Sequence, residues 1–200
     1  MTTRTIAVVT AGLTTPSSTR LLADRLSAAV RDQLDGRGTA HRVEVIELRE
    51  LAHDLTNNLL TGFPSPELSK VLETVVESDG LIAVTPTFSA SYNGLFKMFF
   101  DVLDDQALAG KPILIAATGG TERHSLVLDF ALRPLFSYLK AIVLPTGVYA
   151  ASSDWGAGAT KLHGRIERAA EELVDAIGNE RRPTADPYAN PTPFEDLLNS

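Results

Sequence analysis

Residues 80–85 read GLIAVT and residues 112–118 read PILIAAT, two nearly unbroken runs of Val, Ile, Leu and Ala. Apolar runs with no polar alternation belong to strands covered on both faces, the central strands of a parallel sheet. The blocks on either side extend the pattern. Thr5–Thr10 (TIAVVT) predicts the first strand, and Ala141–Tyr149 the fifth. Arg42–Leu48 (RVEVIEL) alternates apolar and charged residues, which predicts a more exposed strand near a sheet edge. Helical spacing separates these blocks. Leu21, Leu22, Leu26, Ala29, Val30 and Leu34 share one face of a helix that Gly36 and Gly38 stop. Ser65-Pro66 is an N-cap followed by a first-turn proline, and it opens a helix with a buried stripe of Leu68, Val71, Leu72, Val75 and Val76. A helix over Leu95–Leu103 carries Phe96, Phe99 and Phe100; another over Ser125–Leu139 contains Pro134, which should kink or loosen it. Leu162, Ile166, Ala169, Leu173 and Ile177 mark the last helix, which Gly178-Asn179 ends. Residues 51–64 show no clear period and predict a loop or a broken turn of helix.

The alternation of strand and helix predicts one α/β domain over residues 1–178, an open, doubly wound parallel sheet with helices on both faces. Residues 179–200 hold four of the eleven prolines and no sustained period, so they predict a Pro-rich tail. Composition narrows the function. The 200 residues contain no cysteine, which excludes disulfide scaffolds, thiolate metal sites and thiol catalysis, and suits a reducing cytoplasm. Lys and Arg number 18 against 25 Asp and Glu, a net charge of −7 that argues against a general nucleic-acid binder. The apolar runs are too short to span a membrane, and the N-terminus lacks the core of a signal peptide.

Ligands of such sheets bind beyond the carboxyl ends of the strands. Three of those ends are unusual. After the first strand, residues 11–20 (AGLTTPSSTR) bring Thr14, Thr15, Ser17, Ser18 and Thr19 to a helix N-terminus. Such a loop serves either as a phosphate cradle or as an ordinary Ser/Thr cap. It has neither the Gly-Lys-Ser/Thr of a triphosphate loop nor the G-x-G-x-x-G of a dinucleotide turn. After the third strand comes Pro86-Thr87-Phe88-Ser89-Ala90-Ser91-Tyr92-Asn93-Gly94. Its aromatics either border a flat ring or complete the core. After the fourth comes Thr118-Gly119-Gly120-Thr121, with His124 close behind. Paired glycines admit a ligand close to backbone N–H groups or simply make a turn, and His124 packs or binds. The four histidines show no metal-ligand spacing, and no G-x-S-x-G elbow is present. Reactive side chains are few, which fits a cofactor that brings its own chemistry.

These segments, in this order, resemble the NAD(P)H-dependent FMN reductases of the flavodoxin-like superfamily, close to those that supply reduced FMN to two-component flavin monooxygenases. The residues carrying the resemblance are 85–97 (TPTFSASYNGLFK), 117–121 (ATGGT) with His124, and 128–134 (LDFALRP). The resemblance implies a flavodoxin-like five-stranded sheet of order 2-1-3-4-5, with FMN and NADPH or NADH as ligands. It assigns the FMN phosphate to Thr14, Ser17, Ser18 and Thr19. It assigns the ring to Pro86, Thr87, Phe88, Ser89, Ala90, Tyr92, Asn93 and Gly94, and to Thr118, Gly119, Gly120, Thr121 and His124. No dedicated acid or base is implied. A partner monooxygenase and a homodimer or homotetramer follow as family expectations. Two departures stand out. Leu13 replaces a customary hydroxyl, and Phe130 stands where some relatives carry a bulged tyrosine near the flavin. Arg20, Arg123 and Arg133 are candidates for a 2′-phosphate, or plain surface arginines. Phe194, Leu197 and Leu198 of the tail either remain in solvent or dock across a subunit boundary. Competing readings are a quinone- or azo-reducing flavoenzyme, an electron carrier without nicotinamide activity, and a flavin-binding scaffold without turnover.

Overall fold

The computed structural model describes residues 3–156 and 158–178. The tail at 179–200 lies outside the described residues. Along the chain run β1 (Arg4–Thr10), α1 (Ser18–Gly36), β2 (His41–Glu47), α2 (Ala52–Thr61), α3 (Pro66–Glu77), β3 (Gly80–Phe88) and β4 (Ser91–Tyr92). They are followed by α4 (Gly94–Asp101), β5 (Pro112–Gly119), α5 (Arg133–Tyr138), β6 (Ile142–Val143), β7 (Val148–Ala151) and α6 (Ala159–Gly178).

The strands form one sheet in the order β2-β1-β3-β5-β6, with β7 also paired to β5. All of these pairings are parallel. This is the doubly wound, flavodoxin-like order once β6 and β7 are counted as the two halves of the fifth strand. Side chains alternate across β1, as a period of two requires. Ile6 and Val8 face α1 and α6, while Ala7 and Val9 face the layer of α2 to α5. In that second layer Phe100 packs edge-on against Phe136, with ring centres 4.8 Å apart, and lies 4.7 Å from Phe96. Edge-to-face rings of this kind add about 0.5–1.5 kcal/mol beyond the area they bury.

Four expectations change in detail. The fifth strand is broken at Leu144–Gly147, because Pro145 has no N–H to give a ladder. Side chains fill the gap: Arg133 donates to the carbonyls of Leu144 and Pro145, and Glu172 accepts from the backbone N–H of Thr146 at 2.8 Å. Second, the stretch at 51–64 is helical: a 3-10 turn at Leu48–Leu51 leads into α2. Its buried positions are Leu48, Leu51, Leu55 and Asn58, a helical stripe in which one member is polar, while Leu59 and Leu60 stay exposed and blur the period. Third, Val76 of α3 is exposed, and so is Leu21 of α1; each flanks its stripe instead of joining it. Fourth, the helix expected over Ser125–Leu139 forms over residues 127–138, and the loosening expected from Pro134 takes the form of a π turn at Leu128–Leu132 that runs directly into α5. Pro134 follows the π turn directly, so the donor it lacks falls where the helical ladder is already widened. The extra residue of the π turn carries the irregularity. Phe130, within that turn, is 77% exposed.

Candidate active site

β1, β3 and β5 end side by side. Their register runs up to Thr10 opposite Val84 and Pro86 opposite Thr118, so the three following loops emerge as one group. Gly12 and Ser17 define the first loop. A Cβ on Gly12 would lie 2.2 Å from Ser17 Oγ, so glycine alone lets the cap residue fold back over the strand end. Ser17 caps α1 by accepting from the backbone N–H of Arg20 at 3.3 Å. Thr14 and Ser18 are exposed, and Thr14 donates to the carbonyl of Pro16. No acidic residue occupies the first turn of α1, leaving its positive end unneutralised there. Beside the loop, Arg20 pairs with Asp24 and Glu47, and Arg49 with Glu47 and the Thr15 hydroxyl. The hydrogen bond to Asp24, reinforced by Glu47, pushes Arg20 above its usual pKa against the opposing effect of burial.

Thr19 is placed differently. It is 2% exposed, and its hydroxyl bonds that of Thr118 at 2.9 Å. The pair ties α1 to the end of β5 and leaves neither hydroxyl on the loop surface. Asn93 is likewise buried: Oδ1 accepts from the N–H of Phe96, and Nδ2 donates to the carbonyl of Ala11 at 2.8 Å. It caps α4 and joins the first and third strand ends. Both residues brace the site from beneath.

Above them, β3 and β4 form a two-residue hairpin with Thr87 opposite Tyr92 and Phe88 opposite Ser91. Ser89 and Ala90 at its tip have φ of 46° and 66°, the left-handed pair that a tight hairpin turn requires. Phe88, Ser89 and Ala90 are exposed, Pro86, Thr87 and Tyr92 half-buried, and Gly94 faces open space. Tyr92 stacks its ring 5.7 Å from Phe96, so one of the two loop aromatics is anchored in the core and the other is free. In the third loop Gly120 is exposed, Gly119 and Thr121 half-buried, and His124 exposed at the end of a 3-10 turn that Thr121 caps. The floor is open. Two clefts of the molecule lie away from it, one of about 340 Å³ beside Arg4, Arg37 and Ile177 and one of about 490 Å³ between α3 and the segment after α4.

Residues outside the sites assigned from the sequence complete the arrangement. The hydroxyl of Thr10 is buried at the end of β1 with no hydrogen-bond partner among the described residues. Thr85 accepts from the N–H of Asn93. Tyr149, on β7, donates to the carbonyl of Thr121 at 2.8 Å. Burial raises the pKa of its phenol, opposed by the Thr87 hydroxyl and helped by Asp154 and Glu122, so it stays a donor at neutral pH. Its place at a strand end was the available signal. No group of three or more His, Asp or Glu suited to a metal ion occurs among the described residues. Nor is any helix among them long and apolar enough to cross a membrane.

The family model for NADPH-dependent FMN reductases matches residues 4–156, a stretch that contains all three loops. The chain belongs to that family. An FMN reductase (NADPH) of Pseudomonas aeruginosa is 40% identical over 178 residues, covering 86% of this chain and 92% of that protein. The NADH-dependent FMN reductase SfnE of Pseudomonas putida is 36% identical, over 86% of this chain and 92% of its own length. Among solved structures, an oxidoreductase from Corynebacterium diphtheriae is 52% identical with a TM-score of 0.87, covering 89% of this chain and 98% of that one. A flavodoxin, WrbA-like protein of Agrobacterium tumefaciens, at 15% identity and a TM-score of 0.61, shares the fold. As a member of the FMN reductase family the chain is an oxidoreductase that uses FMN and NAD(P)H. Its loops suit FMN: hydroxyls and free N–H groups at a helix N-terminus match a phosphate, and the orphaned Thr10 hydroxyl lies beneath the same strand end.

Proposed function

We propose that the chain binds FMN across the carboxyl ends of β1, β3 and β5, reduces it with a nicotinamide, and releases it to a flavin-dependent monooxygenase. The observation that carries this reading is the exposure of the loop ends: the hairpin tip and Gly120 are exposed, so this chain by itself would cover little of a ligand there. A ligand that is weakly enclosed is weakly retained, which suits FMN that leaves after each reduction. FMN supplies the redox chemistry by accepting hydride from the nicotinamide. The protein's part is to hold and orient it. Thr14, Ser17, Ser18 and the first N–H groups of α1 would take the phosphate, with Thr19 acting through Thr118. Pro86–Gly94 would border the ring on one edge, and Thr118–Thr121 with His124 would supply backbone donors on the other. Those donors offset the negative charge that reduction adds, without an ionisable side chain. Relatives named for NADPH and for NADH both occur, and of the three candidate arginines Arg20 and Arg133 are engaged by carboxylates. Arg123 is exposed, makes no ion pair among the described residues, and is the candidate for a 2′-phosphate. Phe130, beside the β4 hairpin, would meet a second copy in a homodimer or homotetramer. Residues 1–178 would make up the reductase domain.

The test pairs the purified protein with a flavin-dependent monooxygenase, NAD(P)H and a catalytic amount of free FMN. Product formation should require the reductase and rise with free FMN. Retention of one FMN per chain through desalting, with two-step turnover of a quinone and no product from the monooxygenase, would point to a quinone reductase instead.

A further inference from the structure

Gly119 is the last residue of β5, paired with Ala151 of β7, while Gly120 beyond it is exposed and has no side chain to pin the backbone that follows. Something outside the segment must hold it. Tyr149 does so in two ways. It lies on β7, opposite Ala117 of β5, and is 4% exposed. Its side chain runs along the strand over Gly119: a Cβ there would lie 2.1 Å from Tyr149 Oη, 3.2 Å from Cζ and 3.7 Å from the Cβ of Thr87. Beyond Gly119, Oη donates to the Thr121 carbonyl, which also accepts from the N–H of His124. One phenol therefore fills the space that glycine leaves and fixes the far end of the same loop.

We propose that Tyr149 is a positioning residue of the reductase, its hydroxyl holding the Gly119–Thr121 backbone in the shape that favours reduced over oxidised FMN. The inference rests on the reading that this segment supplies donors to the flavin. Its logic is differential binding: donors fixed before the reaction favour the state in which charge has developed, and donors on a loose loop favour it less.

Tyr149→Phe keeps the ring, and so the core, and removes only the hydroxyl. FMN is titrated into wild type and variant in the oxidised state and, without oxygen, in the reduced state. Oxidised FMN should bind within about twofold of wild type, and reduced FMN about tenfold more weakly; for a two-electron couple that ratio is about 30 mV, a more negative potential for bound FMN. A second arm uses Gly119→Ala, whose new Cβ would collide with Oη. Gly119→Ala should bind reduced FMN more weakly than Tyr149→Phe, and the double variant should recover part of the way to the Tyr149→Phe level, since the 2.1 Å collision with Oη is replaced by a close contact with Cζ at 3.2 Å that a small ring shift relieves. An unchanged ratio of oxidised to reduced affinity in Tyr149→Phe, or a double variant no better than Gly119→Ala, overturns the proposal. Failure of wild type to bind FMN in either state would instead overturn the flavin reading itself.

Discussion

Ser17 carries two tasks with one hydroxyl: it caps α1, and it is the residue for which Gly12 clears space. Loss of an N-cap of this kind costs about 1 kcal/mol. Ser17→Ala should therefore lower the urea midpoint modestly. It should also weaken FMN several-fold while leaving riboflavin, which has no phosphate, nearly unaffected; fluorescence titration of both flavins measures it. Equal weakening of the two would remove Ser17 from the phosphate loop. At this scale the sequence was only partly legible. It pointed to the stretches that follow β1, β3 and β5, because Ser, Thr and Gly at strand ends are unusual, and the structure brings those three strand ends together. It could not say which hydroxyls turn outward. Thr19 and Thr118 lie 99 residues apart and bond each other in the interior, and Asn93 spends both polar atoms on the scaffold. Tyr149 escaped for a related reason, since its contact with Thr121 exists only after β7 has paired with β5.

The β3–β4 hairpin concentrates strain at the element scale. Ser89 and Ala90 occupy the left-handed region that glycine or asparagine usually fills in such turns. An L-residue pays roughly 1–2 kcal/mol there, and glycine pays part of that back in backbone entropy. Ala90→Gly should thus stabilise the protein by about 0.5 kcal/mol, read as a small rise in the urea midpoint. It should also weaken FMN, because the exposed tip loses its fixed shape. A stabilised variant with unchanged FMN affinity would show that the tip does not contact the flavin. Elements with a regular period were legible from sequence: α1, α3, α4, α6 and the central strands fall where the apolar spacing put them. Those that break a period were not. Polar Asn58 within a buried stripe hid α2, Pro145 split the last strand, and the π turn around Phe130 has no spacing of its own to recognise.

For the whole molecule, the order of the sheet decides where chemistry can occur. β1 and β3 lie adjacent while their connections leave in opposite directions, which opens the crevice at the carboxyl ends where ligands of such sheets bind. The two packed layers keep that edge stiff: α1 and α6 cover one face, and the Phe96, Phe99, Phe100 and Phe136 cluster anchors the other directly below the hairpin. Three cross-links then join the strand ends, through Asn93 to Ala11, Thr19 to Thr118 and Tyr149 to Thr121. The result is a cross-linked platform with exposed loop ends, no thiol and few acids or bases, so the electrons must travel through borrowed groups. The absence of cysteine, legible in the sequence, points to a borrowed redox group, and the exposure of the hairpin tip and Gly120 supports the proposal that FMN is a passing ligand. The most direct test mixes the purified protein, free of oxygen, with NAD(P)H and a large excess of FMN, and counts FMN molecules reduced per chain from the loss of flavin absorbance. Many FMN molecules should be reduced by each chain, at a rate that saturates with FMN; reduction that stops at one per chain, or does not occur at all, would contradict the account.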